Sequence, residues 1–239
     1  MRIRTLVLIA IIGLFCSCEK EVDLSDGLIA YYTFDGDADD YSGANGDGII
    51  YGATLSADRF GNENSAFHFN GINSYIWLPA KRIINLNSYS YCVWIKPEGI
   101  PSNYSGMVYS VGDSVAKACQ AFVYQPTSTL FAGSYNCCNN PLQSYSRSGE
   151  IKPDQWLFIV VTRDLDNIRM YINKTEVRIQ PESAINNQPA FYGNNRKRAI
   201  IGGRSNLNYD SFFKGIIDDI RIYDRVLGDN EIEKLYELN

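Results

Sequence analysis

The chain has 239 residues, enough for one all-β domain and a short leader, and with 21% charged residues and a net charge of −5 it offers no basic face of the kind that neutralises nucleic-acid phosphates. Its single histidine, His68, argues against multi-histidine metal sites and histidine-based catalysis. The 17 tyrosines and 19 glycines suit many short strands joined by tight turns.

At the N-terminus, Arg2 and Arg4 precede an apolar run, Leu6 to Phe15, shorter than the ~20 residues needed to cross a bilayer. It leads into Leu14-Phe15-Cys16-Ser17-Cys18, where a small residue directly before a cysteine resembles a bacterial lipobox. On this reading residues 1–18 are a lipoprotein signal peptide ending at Cys18, which becomes the lipidated first residue, and no A-x-A cleavage pattern competes. Residues 19–26 read as a linker, and Glu19-Lys20-Glu21-Val22-Asp23 partly resembles the acidic export tag of surface lipoproteins in gut Bacteroidetes. The expected location is an outer membrane, held by the lipid anchor alone, with the domain (27–239) facing the cell surface or the periplasm. Cys92, Cys119, Cys137 and Cys138 remain in that domain. An exported setting permits disulfides. Cys137 and Cys138 are adjacent, so the expected bridge joins Cys119 to one of them, and which one stays open.

From Gly27 the chain breaks into short runs separated by turn residues. Strands are predicted at Leu28–Phe34, Gly48–Gly52, Ala66–Phe69, Tyr75–Leu78, Tyr89–Ile95, Gly106–Val111, Ala121–Gln125, Trp156–Arg163, Ile168–Ile172, Ala199–Gly203 and Gly215–Tyr223. Trp156–Arg163 is the longest apolar run and should cross the sandwich centre. Asn173-Lys174 follows Ile172, and Asn suits the positive φ of a hairpin turn. One helix is predicted near the end, with Gly228 as N-cap, Glu231 at the third position, and Ile232, Leu235 and Tyr236 on one face. This spacing without long helical periodicity predicts a two-sheet antiparallel β-sandwich with a short C-terminal helix.

Several blocks then look familiar in series. Gly27 to Gly36 with Asp40-Tyr41-Ser42-Gly43, Arg59-Phe60-Gly61, Ala66 to Gly71 with Ser74-Tyr75-Ile76, Tyr91 to Pro97, Gln155 to Arg163 with Tyr171-Ile172-Asn173, and Phe213 to Tyr223 with Val226-Leu227 resemble, in order, the bacterial LamG-like jelly-roll family of the concanavalin A-like class. The resemblance spans about residues 27 to 238. It implies a jelly-roll sandwich, and little about function, since this fold hosts lectins, adhesins and glycosidases. The hairpin turn departs from the usual Asn-Gly, and residues 113 to 148 match no pattern of the family. What the resemblance further implies is a structural calcium ion held by Asp218, with Asp35, Asp40 and the Gly71 carbonyl as partners; calcium takes six to eight oxygens. The alternative is that Asp218 caps a strand bulge or pairs with Arg221.

Asp35 to Asp39 is not an EF-hand, because Asp40 and Gly46 stand where Gly and Glu are required. No E-x-D-x-x-E run supplies the paired carboxylates of a glycosidase, and Glu98, Glu150, Glu176 and Glu182 are isolated. Enzymatic activity is therefore not the expectation, and a glycoside hydrolase stays a remote alternative. Carbohydrate binding is the leading reading, because sugars stack on aromatic rings while amides and charges take their hydroxyls. The candidates are Tyr104, Tyr109, Tyr124, Tyr135, Tyr145 and Arg147, with a poly- or oligosaccharide as partner. A protein-binding adhesin or structural surface domain, with surface proteins as partners, is the other class. Trp94 and Trp156 read as core and Trp77 is ambiguous.

Overall fold

The structure is a computed structural model; it describes residues 22–44, 46–79, 83, 86, 88–99, 106–112, 120–124, 127–134, 142–164, 167–177, 198–204 and 211–238, with the side chains of 112, 120–124, 134, 142, 143 and 198 left aside. Among these residues two antiparallel sheets face each other, which makes the predicted sandwich. The first sheet runs β13 (Thr175–Glu176), β12 (Ile168–Ile172), β11 (Leu157–Arg163), β6 (Tyr89–Pro97), β15 (Lys214–Tyr223), β4 (Ala66–Asn70), β3 (Thr54–Ser56), with β1 (Leu28–Tyr32) also paired to β15. The second runs β10 (Leu142–Tyr145), β9 (Thr129–Ser134), β8 (Gln120–Tyr124), β7 (Gly106–Gly112), β14 (Arg198–Ile201), β5 (Tyr75–Leu78), β2 (Ile49–Tyr51).

Alternation along each strand sorts the side chains. Phe67 and Phe69, Ile76 and Leu78, Val93 and Ile95, Ile159 and Val161, Ile217 and Ile222 meet in the inter-sheet core, each such side chain contributing about 1.5–3 kcal/mol by leaving water. β11 is buried along its whole length, as its apolar run predicts. Its odd residues enter the core, while Phe158 and Val160 join Cys92, Trp94 and Tyr223 on the outer face of the first sheet. That face is covered by the helix α1 (Asp229–Glu237), which inserts Ile232 and Leu235. Trp94 thus packs under the helix rather than between the sheets. The helix starts as predicted: the Gly228 N–H donates to Glu231 Oε2 at 2.8 Å. Lys174 Nζ reaches Glu233 in the middle of the helix at 2.8 Å and Glu237 at its far end at 3.7 Å.

The Asn173–Lys174 turn has positive φ at both residues, 51° and 55°, the geometry of a type I′ hairpin. The missing glycine therefore leaves the turn type unchanged, and the Asn173 side chain secures it by accepting the Phe158 N–H at 2.9 Å. At Gly215 φ is 139°, and a Cβ there would lie 2.2 Å from the Lys96 carbonyl oxygen on β6. The closing strand runs this close beside its neighbour only because residue 215 has no side chain.

The predicted strands are all found, with small shifts at their ends. Four others, β3, β9, β10 and β13, were not expected from sequence. β9 and β10 lie in the segment that matched no family pattern. β9, buried from Thr129 to Gly133, shows no alternation to read, and β3, β10 and β13 are four residues or shorter.

Candidate functional site

Two surfaces gather chemically useful side chains. The first is a cleft of ≈ 280 Å³ on the first sheet, lined by Tyr31, Asp35, Arg59, Phe60, Asp218 and Asp219 among others. Adjacent strand residues normally point to opposite faces. Here the register of β15 against β6 shifts between Asp218 and Arg221, and Asp219 has φ 48°, so the bulge turns both carboxylates to one side. Arg59 bridges them: Nη1 donates to Asp218 Oδ2 at 2.8 Å, Nη2 lies 3.5 Å from Asp219 Oδ2, and Nη2 also donates to the Leu238 carbonyl at 3.3 Å. Its guanidinium lies over Phe60 and Trp94, 4.4 and 4.9 Å from the ring centroids. Arg221 reaches Asp219 at 3.0 Å and donates to the Tyr31 hydroxyl at 2.7 Å. Burial, reinforced by the charge of Asp219, raises the Asp218 carboxyl from 3.8 to about 7 even with Arg59 beside it. The cleft floor is thus a network of two carboxylates and two guanidiniums.

The four residues assigned to calcium by resemblance do not share one site. Asp218 and Asp35 line this cleft. Asp40 instead organises its own loop, accepting the backbone N–H groups of Tyr31, Ser42 and Gly46. Gly71 follows β4, where Asn70 pairs with Lys214; Asp218 lies four residues further along, roughly 13 Å away at strand rise, far outside a calcium shell of about 2.3–2.6 Å. Asp218 sits at a strand bulge, and its partner is Arg59 rather than the Arg221 suggested from sequence. Among the described residues no three His, Cys, Asp or Glu side chains converge as metal ligands. His68 stands on the outer side of β4 and pairs through Nε2 with Glu98 at 3.1 Å.

The second surface is the outer face of the second sheet at β5 and β2. The registers Ile49↔Trp77 and Tyr51↔Tyr75 put these four side chains on that face, since Ile76 between them enters the core. The Tyr51 and Tyr75 rings stack with centroids 4.6 Å apart and planes 15° apart, and Phe212 continues the row at 6.3 Å from Tyr75. Tyr51 ends the row at 43% exposure. Trp77 is half-buried, and its indole Nε1 is buried with no hydrogen-bond partner among the described residues. Toward the middle of the sheet the face closes: Ile200, opposite Trp77, and Met107 are buried.

The tyrosines singled out from sequence fall elsewhere. Tyr109 lies in the inter-sheet core, its ring centroid 5.2 Å from that of Tyr91, so it is packing rather than platform. Tyr145 is half-buried at the opposite edge of the second sheet, edge-on to Phe131 at 4.6 Å, and Arg147 just beyond it is exposed. Tyr124 is on β8 with its side chain not described, and Tyr104, Tyr135, Cys18, Cys119, Cys137 and Cys138 lie outside the described residues. Cys92 is a buried free thiol. The signal that could have found the platform was the apolar alternation at 49 and 51 facing that at 75 and 77.

Residues 70–233, more than half of the chain, match the family model of the concanavalin A-like lectin/glucanases superfamily. The chain belongs to this superfamily. No curated protein matches it in sequence. Among solved structures, domain 4 of AbnA, a GH43 extracellular arabinanase from Geobacillus stearothermophilus in complex with arabinotriose, is similar at 23% identity and TM-score 0.65, covering 88% of this chain and 98% of that one. The binding domain of Paraclostridial Mosquitocidal Protein 1 is similar at 19% identity and TM-score 0.70, covering 90% of this chain and 52% of that one. The ligand-binding domain of botulinum neurotoxin serotype D, in complex with N-acetylneuraminic acid, is similar at 14% identity and TM-score 0.65, covering 89% of this chain and 51% of that one. The chain thus spans about half the length of these two toxin binding domains, and at such identities the likeness is one of fold.

Proposed function

We propose that this concanavalin A-like domain binds carbohydrate, without catalysing its breakdown, through the aromatic face formed by Tyr51, Tyr75 and Trp77. The observation that carries the reading is the stacked Tyr51–Tyr75 row, which ends in a half-exposed ring at the sheet edge. A pyranose or furanose face extends such a row, excluding water from both surfaces. The bound arabinotriose and N-acetylneuraminic acid of similarly folded domains support a sugar as the ligand class. The lipobox-like Cys18 supports capture at an outer membrane, with the domain facing the surface or the periplasm.

The test is calorimetric titration and a glycan array on the full chain, with arabinotriose, N-acetylneuraminic acid and a panel of soluble polysaccharides as probes, each with and without EDTA. Tyr51→Ala and Trp77→Ala should each weaken saturable binding about tenfold, near 1.4 kcal/mol. Tyr145→Ala and Arg147→Ala, at the far edge, should leave it within about twofold. EDTA should change nothing, because the platform carries no carboxylates. Binding lost in the far-edge variants and kept in the platform variants would move the site to the segment around residue 145.

A further inference from the structure

β2 ends the second sheet and β3 ends the first, and the two strands are consecutive in the chain, so both sheets stop on one flank. Five exposed apolar side chains, Ile49, Ile50, Tyr51, Leu55 and Ile72, collect there, at 40% to 67% exposure. Ile50 pairs with Ile76 and Leu55 with Phe67, both core residues. Ile50 and Leu55 are therefore the margin of the inter-sheet core, open to solvent on this side.

Edge strands are ordinarily protected by charge, proline or a bulge. The run from Gly48 to Ser56 contains no charged residue and no proline in a chain that is 21% charged, and β2 pairs with β5 in unbroken register. The five side chains present on the order of 400 Å² of apolar surface, within the range of the largest patches on monomers. That is about half of what one partner contributes to a standard interface of roughly 800 Å² per side, and the flanking backbone edge brings the contact toward the remainder. With a net charge of −5 on each molecule, two copies repel broadly, and the uncharged run Gly48–Ser56 is where they can approach, beside the acidic loop whose Ala38 carbonyl accepts the Gly48 N–H at 2.7 Å.

We propose that the flank joins two copies of this chain, β2 of one pairing antiparallel with β2 of the other about a two-fold axis through Ile50. The axis sets Ile50 opposite its mate and Ile49 opposite Tyr51, extends the second sheet across both molecules, and covers the Ile50 and Leu55 margins. Tyr51, Tyr75 and Trp77 stay on the outer face, so both aromatic platforms point the same way.

Cysteine substitution tests the axis directly. Residues directly opposed in an antiparallel pair have Cα atoms about 4.5–5.5 Å apart, within disulfide range. Ile50→Cys in the full chain should form covalent dimer under mild oxidation, well beyond the level seen in the wild type or in Phe60→Cys, a more exposed position in the cleft. Wild type should sediment as a reversible dimer with Kd near about 10 μM, and Ile50→Lys or Leu55→Lys should weaken it at least about tenfold. Circular dichroism identical to wild type shows that each variant is folded. A wild type that stays monomeric at about 100 μM, or Ile50→Cys no more cross-linked than Phe60→Cys, overturns the proposal. Trp77→Ala leaves the β2 edge intact and should dimerise normally, so loss of glycan binding and loss of association are separable.

Discussion

Gly215→Ala should lower the free energy of unfolding by about 3–5 kcal/mol, read as a large fall in the urea midpoint at unchanged m-value. Two effects add at this position. With φ at 139° the backbone occupies a region that L side chains rarely adopt. The new Cβ also meets backbone on every side: the Lys96 oxygen at 2.2 Å, and the Glu98 nitrogen and Pro97 Cα at 2.9 Å. A flexible side chain could swing away, but a strand held by its own hydrogen bonds moves only by breaking the β15–β6 ladder. Gly36 and Gly149 supply the control. Both have positive φ, 94° and 80°, with nothing within 4 Å of the added atom. Alanine there should cost about 1 kcal/mol, from backbone conformation alone. If Gly215→Ala proves as mild as Gly149→Ala, the close approach of β15 to β6 at this position is wrong.

Arg59→Met should cost about 3–5 kcal/mol, because it keeps an unbranched apolar stem and removes the cation between two buried carboxylates. Arg59→Lys should recover only part, since one ammonium cannot reach Asp218, Asp219 and the Leu238 carbonyl together. The deficit has a pH signature. The Asp218 carboxyl is raised in the folded state from 3.8 to about 7, chiefly by burial. A raised folded pKa means the native state holds the proton more tightly. Its contribution is complete below pH 4 and is lost as pH climbs through 7, at up to ~1.4 kcal/mol per pH unit. Denaturation at pH 5 and pH 8 should therefore show wild type weaker at pH 8 through this group, and Asp218→Asn should flatten the difference. The Arg59→Met deficit should be largest at pH 8 and shrink at pH 5, where a neutral Asp218 needs no counter-charge. A deficit that grows on acidification would reverse this assignment.

Much of the fold was legible because it is written in short-range patterns. Alternation marked β4 and β5, a continuous apolar run marked β11, and Gly228 with Glu231 marked the helix start. The ordered blocks supplied the sandwich class. The site was less legible, for a physical reason. Asp218 could be singled out from sequence, but its partner Arg59 stands 159 residues away. Moreover, the two neighbouring carboxylates share a face only because of a bulge that no residue pattern announces. The tyrosine-rich segment drew the carbohydrate assignment to Tyr109, which is core, while the exposed row of Tyr51 and Tyr75 is assembled by pairing strands whose rings are 24 residues apart in the chain. Composition signals that rings are present. Only strand pairing decides which of them meet at the surface.

The position of β15 bears on when this molecule can fold. It is the last strand of the chain, yet it is hydrogen-bonded to β1, β4 and β6, and the contact between Tyr31 and Arg221 spans 190 residues. A chain emerging from a ribosome holds β1, β4 and β6 without the strand that joins them until residues 214–223 arrive. Closing loops of that length comes before any reward from packing, which places folding in the slow range of non-local β topologies, milliseconds to seconds. The domain therefore acquires its stability late, once residues 214–223 are free to pair.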